Sequence, residues 1–156
     1  MAREGVSRLF PAEGVKAMLM GSYQHNIDAK GRIIMPAKFR EELGETFYAT
    51  KGTNECIAVF SAPHWEELGA KICALPSAQA RDLKRFFFSS AAELIPDKQG
   101  RVQLTPLLRD FAHLDKDVMI IGVGSIVEIW DLARWNQYND EISESQVLEV
   151  MNLYDI

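Results

Sequence analysis

A chain of 156 residues has room for one ordinary domain or two small ones, and its 47% hydrophobic and 25% charged residues are typical of a globular protein. No stretch reaches the roughly 18 to 20 apolar residues that cross a membrane, the N-terminus lacks the apolar run of a signal peptide, and the 2 cysteines give no disulfide framework. We therefore expect a cytoplasmic protein without a membrane partner.

The formal net charge of −5 does not exclude nucleic acid as a partner. The stretch 137–156 holds five carboxylates and neither lysine nor arginine, whereas 26–40 holds four basic side chains against one aspartate. A polyanion responds to the local charge rather than to the total. The basic stretch is therefore a candidate contact with nucleic acid.

The first elements predicted are a strand, a tight turn and a second strand. Residues 21–27 (GSYQHNI) alternate in polarity as a strand does. Asp28 and Gly31 occupy the first and fourth positions that these residues prefer in a type I turn. The apolar run at 32–36 (RIIMP) predicts a return strand that closes a hairpin and is buried on both faces. Residues 1–17 precede these elements and are predicted to be a disordered tail or an overlong start.

A short helix, a second hairpin and two longer helices are predicted next. Pro36 suits the first turn of a helix, which we expect over 37–43. The runs at 46–52 (TFYATKG) and 56–61 (CIAVFS) predict a hairpin that is followed by a helix. A linker helix is then predicted over 77–88.

The second half repeats this order of elements. Residues 91–104 predict a hairpin, 106–114 a helix, and 117–131 two more strands. Residues 132–142 are predicted to be helical, and 144–154 to form a final amphipathic helix.

The two halves are related by a shift of 69 residues, which places DAKGRIIMPAKFRE (28–41) on DKQGRVQLTPLLRD (97–110). The matching residues lie in the turn and in the helix after it, in the same order: Asp28 with Asp97, Gly31 with Gly100, Arg32 with Arg101, and Arg40 with Arg109. We interpret this match as a tandem duplication of about seventy residues.

The elements and the duplication predict an α+β fold of two interlocked repeats. One hairpin with one short helix buries too little apolar surface to be stable alone, so we expect both units to share one core. The predicted organisation is a first repeat over 18–76, a linker helix over 77–88, a second repeat over 89–143 and an acidic C-terminal helix over 144–156.

The sequence offers no catalytic or metal-binding pattern. The histidines are scattered over three predicted elements, and neither cysteine has the spacing of a metal site. A triad of Ser22, His25 and Asp28 fails because Ser22 and His25 point to opposite faces of a strand. No glycine-rich loop follows a strand and opens a helix. We therefore expect no enzymatic activity, no cofactor and no small-molecule substrate.

The arginines after the two turns are the residues that turn formation does not explain. Aspartate and glycine are accounted for by the turn itself, whereas Arg32 and Arg101 recur without being needed for it. A buried ion pair of each arginine with Asp28 or Asp97 is one explanation. The other is a partner with repeating negative charge, namely nucleic acid.

Three stretches resemble the MraZ family of bacterial transcriptional regulators: YQHNIDAKGRIIMPAKFREEL, DKQGRVQLTPLLRDFA and VEIWDLARW. The resemblance implies two tandem AbrB-like swapped-hairpin half-domains of ββαββ type, interlocked in one chain with flanking helices. It also implies sequence-specific binding of double-stranded DNA at short direct repeats in the promoter of the division and cell-wall operon. Members of the family usually act as repressors and assemble into rings of subunits, so we expect a homo-oligomer that associates with the nucleoid.

Together with the basic charge, the resemblance assigns DNA binding to Lys30, Arg32, Lys38, Arg40, Lys98, Arg101 and Arg109. The turn-forming residues are Asp28, Gly31, Asp97 and Gly100. We expect Arg32 and Arg101 to pair with guanine in the major groove. Phosphates are expected to be neutralised mainly by Lys30, Lys38 and Arg40. The second turn departs from the first because Gln99 stands where the first has Lys30.

Other functions stay open beside this one. The turns could grip an acidic protein in an interaction or assembly module. A swapped-hairpin protein can also serve as an antitoxin-like regulator of the same fold. An enzyme is the third alternative, although no residue pattern supports it.

Overall fold

The computed structural model describes residues 18–156, so the tail or overlong start predicted at 1–17 lies outside the described residues. Within this range the strands are β1 (Leu19–Asn26), β2 (Arg32–Ile34), β3 (Phe47–Lys51), β4 (Ile57–Ser61), β5 (Ala92–Leu94), β6 (Arg101–Gln103), β7 (Asp117–Gly124) and β8 (Val127–Asp131). The α-helices are α1 (Ala37–Leu43), α2 (Ala62–Cys73), α3 (Ser77–Phe88), α4 (Pro106–Phe111), α5 (Leu132–Glu141) and α6 (Glu144–Leu153). None of these helices is long and apolar enough to cross a membrane.

Local chemistry sets the helix starts. Four helices begin after a side chain that accepts a hydrogen bond from the backbone N–H three residues later: Ser61, Thr105, Asp131 and Ser143. The helices predicted over 37–43 and 77–88 are present over those residues. The helix predicted over 106–114 ends earlier, at Phe111, and His113 adopts a left-handed φ of 55°.

The two repeats exchange strands in one six-stranded antiparallel sheet, of order β1-β7-β8-β4-β3-β5. Strand β1 of the first repeat pairs with β7 of the second, and β5 of the second pairs with β3 of the first. The local hairpins β3–β4 and β7–β8 join through the pairing of β4 with β8. This topology confirms the predicted α+β fold of interlocked swapped-hairpin repeats.

Strands β2 and β6 form a separate two-stranded antiparallel ribbon. Its register places three pairs opposite each other: Arg32 with Gln103, Ile33 with Val102, and Ile34 with Arg101. Beyond these pairs, Met35 N–H donates to the Gly100 carbonyl at 2.9 Å. Leu104 N–H likewise donates to the Gly31 carbonyl at 3.0 Å. Each turn is therefore bonded to the chain of the other repeat.

A pseudo-twofold axis relates the repeats through two central pairs of residues. In the ribbon, Ile33 lies opposite Val102, its equivalent 69 positions later. In the large sheet, Ala58 lies opposite Glu128, 70 positions later. Since equivalent residues face each other at both places, the axis passes through the ribbon and the β4–β8 pair.

The main hydrophobic core contains residues of both repeats. It joins Ile33 and Val102 of the ribbon, Phe39 and Leu108 of the short helices, and Ile129 of the large sheet in one cluster. All five are at most 1% exposed. Neither repeat could bury these side chains by itself, which explains why the two units interlock.

The predicted local hairpins at 21–36 and 91–104 are wrong. In the first, β1 and β2 are connected by the turn but pair with β7 and β6. In the second, β5 pairs with β3, and β6 with β2. Hydrophobic alternation predicts that a segment is a strand, but not which other strand completes its hydrogen bonds.

The predicted burial of 32–36 on both faces is also wrong. Ile33 and Met35 are 1% and 0% exposed, whereas Ile34 between them is 44% exposed. The ribbon has one face on the core and one face open, because nothing in the described range packs over its outer side. The apolar run therefore follows the alternation of a strand with one buried face.

Gly122 on β7 tests the exchanged pairing. A Cβ at this position would lie 2.5 Å from the Leu19 carbonyl carbon and from the Met20 nitrogen of β1. We expect Gly122→Ala to force the strands apart and to lower the free energy of unfolding in urea by about 1–3 kcal/mol. The exposed neighbour offers a control, Val123→Ala, with a change below about 0.5 kcal/mol. Equal stability of both variants would contradict a tight β1–β7 contact.

Candidate nucleic-acid interface

The first turn is organised by the side chain of its aspartate. Asp28 Oδ1 accepts hydrogen bonds from the backbone N–H groups of Lys30 and Arg32, at 2.9 and 2.8 Å. The Asp28 carbonyl accepts from Gly31 N–H at 3.0 Å, and Gly31 has a φ of 77°, where glycine is favoured. The turn predicted over 28–31 is therefore present.

The second turn repeats this arrangement around Asp97. Its Oδ1 accepts from the backbone N–H groups of Gln99 and Arg101, both at 2.9 Å. Gly100 has a φ of 80°. The sequence repeat is thus also a repeat of geometry.

The remaining carboxylate oxygen of each aspartate holds an arginine. Arg32 Nε donates to Asp28 Oδ2 at 2.7 Å, and Arg101 Nε donates to Asp97 Oδ2 at 2.7 Å. The first pair is 25% exposed at the arginine and 35% at the aspartate, so it is an ion pair at the surface rather than a buried one. Only Nε is used in this pair, and the terminal nitrogens of Arg32 have no hydrogen-bond partner within residues 18–156.

These hydrogen bonds lower the pKa of both aspartates. The largest cause is the backbone N–H of Arg32 for Asp28 and that of Arg101 for Asp97; partial burial opposes it, and the guanidinium adds to it. Because the pKa is lower in the folded state, the unfolded chain takes up the proton first as the pH falls. The stabilisation is therefore present at neutral pH and lost in acid, and both carboxylates are charged when they hold their arginines.

Four side chains form the outer face of the ribbon: Arg32, Ile34, Arg101 and Gln103. They share this face because side chains alternate along a strand and the residues between them, Ile33 and Val102, are buried in the core. The outer face therefore combines both predicted base-reading arginines with an aliphatic side chain and an amide.

Ile34 and Gln103 are the members of this face that the sequence prediction missed. Ile34 lies within an apolar run, which predicts a buried residue, and Gln103 carries no charge that would indicate a contact with DNA. The available signal was the spacing, since each residue stands two positions after an arginine of the repeated motif. Using that signal requires knowing that one face of β2 and β6 is open.

Arg40 and Arg109, both predicted to bind DNA, lie against the turns of the opposite repeats. The guanidinium of Arg40 covers Gly100, where a Cβ would lie 2.7 Å from Arg40 Cζ. Arg109 covers Gly31 at the same distance. Each Nε also donates to a backbone carbonyl of its own repeat, at 3.0 and 3.2 Å. Each arginine therefore connects the helix of one repeat to the turn of the other.

The lysines predicted to bind DNA remain at the surface. Lys30, Lys38 and Lys98 are exposed, and none of them forms an ion pair in the described part of the chain. The two turns differ in charge. In the second turn the neutral side chain of Gln99 accepts a hydrogen bond at Oε1 from Arg101 Nη2, at 3.2 Å. At the equivalent place the first turn presents the free charge of Lys30.

The histidines and cysteines are not members of the outer face of the ribbon. Among residues 18–156, no three His, Cys, Asp or Glu side chains are grouped so that they could hold a metal ion. Burial raises the pKa of the Cys56 thiol, while Cys73 is exposed. His64 contacts the Ser125 carbonyl at 3.1 Å.

Comparison with known proteins assigns both repeats to one family. A family model described as "MraZ protein, putative antitoxin-like" matches residues 18–86 and again residues 87–151. The chain belongs to the MraZ family. The relationship predicted from the two turns is thereby confirmed.

Relatives named "Transcriptional regulator MraZ" match over nearly their whole length. The protein of Heliobacterium modesticaldum is 49% identical over 143 residues, which cover 89% of this chain and 100% of that protein. That of Carboxydothermus hydrogenoformans is 50% identical over 139 residues, covering 83% and 97%. That of Syntrophomonas wolfei is 48% identical over 141 residues, covering 89% and 99%. These MraZ names describe a class without enzymatic activity, in agreement with the prediction of a non-enzyme.

The contact between Arg109 and Gly31 can be tested by a double-mutant cycle. The added methyl group of Gly31→Ala displaces the Arg109 guanidinium, so this change disrupts the same contact that Arg109→Ala removes. We expect the two changes to be non-additive by about 0.5 kcal/mol or more in the free energy of unfolding. Gly44 is the matched control, because its φ of 89° imposes a similar backbone strain while no side chain or backbone atom from elsewhere in the fold lies within 4 Å of its Cβ position. Additivity of Gly31→Ala with Arg109→Ala, as for Gly44→Ala, would show that the contact has no energetic weight in this MraZ fold.

Proposed function

We propose that this MraZ-family chain is a sequence-specific DNA-binding transcriptional regulator. The observation that carries the proposal is the outer face of the ribbon, where Arg32 and Arg101 are each held at Nε by an aspartate. The relatives, which are named transcriptional regulators, support the same function. The positive charge around the first turn supports a polyanionic partner despite the acidic total.

The ribbon has the shape that the major groove of DNA accepts. That groove is about 12 Å wide and admits a two-stranded β-ribbon. The terminal nitrogens of an arginine donate to O6 and N7 of guanine, which is the commonest specific contact. Because Asp28 and Asp97 already hold the two guanidinium groups, little side-chain freedom is lost when DNA binds.

The other basic residues divide into two groups by their contacts. Lys30, Lys38 and Lys98 are exposed and suit phosphate contacts, which contribute affinity but no sequence preference. Arg40 and Arg109 contact the opposite turns. We assign them mainly to holding the ribbon, so that they influence DNA binding through the position of Arg32 and Arg101.

We further propose that several copies act together on short direct repeats, as a ring of subunits. One outer face of four side chains covers only a few base pairs, so useful affinity requires multivalency. Self-association is supported by apolar residues in and after α6 that are at least 45% exposed: Val147, Leu148, Val150, Leu153, Tyr154 and Ile156. Bound at the promoter of the division and cell-wall operon, at the nucleoid, such an assembly would repress by blocking access to the promoter.

An antitoxin-like regulator is a second candidate, supported by the wording of the family description. This function requires a toxin that binds the chain, encoded beside its gene. A growth defect from that neighbouring gene, relieved by co-expression of this chain, would favour it. Relief that survives loss of DNA binding would separate it from the regulator proposed above.

Arg32→Ala tests the reading of bases. The change removes the guanine contact, so we expect a loss of about 5- to 150-fold in affinity for a site obtained by in vitro selection, measured by fluorescence anisotropy. Affinity for random DNA should stay within about threefold. Asp28→Asn keeps the oxygen that the turn needs but not the charge that holds Arg32, so a smaller loss in the same direction is expected. Unchanged specificity in a folded Arg32→Ala variant would contradict the assignment.

Lys38→Ala tests the phosphate contacts. We expect affinity to fall alike for selected and random DNA, and the slope of log affinity against log salt to flatten by about one unit. Leu107 stands at the equivalent place on α4 and is 49% exposed, so Leu107→Ala is the matched control and should leave the slope unchanged. A loss confined to the selected site would make Lys38 a base-reading residue instead.

A further inference from the structure

The outer face of the ribbon is symmetric in its arginines but not in its other two residues. The pseudo-twofold axis relates Arg32 to Arg101, 69 positions later in the chain. The same operation relates Ile34 to Gln103. An aliphatic side chain on one side of the axis therefore stands where an amide stands on the other.

Ile34 leaves apolar surface in water inside a basic surface. It is 44% exposed, although Ile33 and Met35 on either side of it are 1% and 0% exposed. Covering such surface is favourable in proportion to its area. A partner that approaches the two arginines would also cover Ile34, because β2 and β6 place it directly opposite Arg101.

Gln103 is held in place by the first turn. Its Nε2 donates to the backbone carbonyl of Lys30. This bond uses one donor of the amide and leaves a second N–H and Oε1 without a partner in the described range. An oriented amide with one free donor and one free acceptor is complementary to the N7 and N6 groups of adenine.

We propose that Ile34 and Gln103 read bases, Ile34 by covering the methyl group of a thymine and Gln103 by pairing with an adenine. The proposal rests on the DNA-binding function proposed above and specifies the sequence that is read. Thymine is the base that carries an apolar group in the major groove, and glutamine pairs there with adenine. Both assignments follow from the chemistry of groups that the ribbon already exposes.

The register also fixes where these bases lie. Opposite side chains on paired strands are about 5 Å apart, and side chains two positions apart on one strand about 7 Å. These spacings correspond to one to two base-pair steps of about 3.4 Å. Gln103 is opposite Arg32, and Ile34 is opposite Arg101. The adenine therefore neighbours the guanine of Arg32, and the thymine neighbours the guanine of Arg101. Because these flanking bases differ, each chain binds the duplex in one orientation.

A purely structural role for the two residues predicts a different outcome. If Gln103 only braces the first turn, its loss changes stability, or weakens binding to every sequence alike. If Ile34 only stabilises the ribbon, its loss likewise changes stability or weakens binding to every sequence alike. Base reading instead changes the preference at one position of the site and leaves the others as they were.

The first test uses the unaltered full-length chain and chemically altered DNA. In a site obtained by in vitro selection, each thymine is replaced in turn by uracil, which lacks the methyl group. Each adenine is replaced in turn by 7-deazaadenine, which lacks N7. We expect one thymine at which binding weakens about fourfold, the effect of one buried methyl-sized group. We also expect one adenine at which binding weakens about fivefold or more. The proposal is overturned if no thymine is sensitive or if no adenine is sensitive.

The second test assigns each sensitive base to its residue. Ile34→Ala should lose the response to uracil and keep the response to 7-deazaadenine. Gln103→Met, which keeps the size but not the hydrogen bonds, should show the reverse. Leu107→Ala, an exposed apolar change outside the ribbon, should keep both responses. Circular dichroism and thermal unfolding check the fold, and Ile34→Val replaces Ile34→Ala if the latter unfolds.

The possible failures are distinguishable. If both variants keep the two responses and lose affinity for all sequences, the residues are structural and the proposal is overturned, while Arg32→Ala still shows whether bases are read. If the unaltered chain enriches no sequence in the selection, the DNA-binding function fails as well.

Discussion

The exchange of strands between the repeats is the constraint on which the other features of this molecule depend. Strands β2 and β6 have three residues each, and each is the only strand that pairs with the other in the described part of the chain. A buried strand cannot leave its backbone groups unpaired without a cost comparable to lost hydrogen bonds. The two repeats must therefore fold together, and in doing so they bring Arg32 and Arg101, which are 69 positions apart in the chain, to one small outer face.

The position of those arginines is maintained from both repeats. Asp28 closes its turn with one carboxylate oxygen and holds Arg32 with the other. The same turn is covered by Arg109, from a helix of the second repeat. A change far along the chain can therefore alter the surface that we propose contacts DNA, without itself being a DNA contact. This coupling explains why a basic residue near the interface is not necessarily a contact residue.

The features that were predictable from the sequence are those fixed by local chemistry. The turn at 28–31 and the linker helix at 77–88 follow from aspartate, glycine and proline at defined positions, and the duplication follows from their spacing. The choice of strand partners was not predictable, because β1 alternates in the same way whether it pairs with β2 or with β7. The contact of Arg40 with Gly100 was not predictable for the same reason, because it forms only when the two repeats exchange strands. The open side of Ile34 likewise depends on a ribbon that has only two strands.

If the outer face of the ribbon reads guanine in the major groove, as proposed, base analogues will separate contacts in that groove from contacts in the minor groove. In the selected site, 7-deazaguanine removes the N7 acceptor of the major groove, and inosine removes the amino group of the minor groove. We expect binding, measured by fluorescence anisotropy, to weaken with 7-deazaguanine at the guanines assigned to Arg32 and Arg101, and to stay unchanged with inosine. Weakening by inosine, together with indifference to 7-deazaguanine, would contradict this proposal.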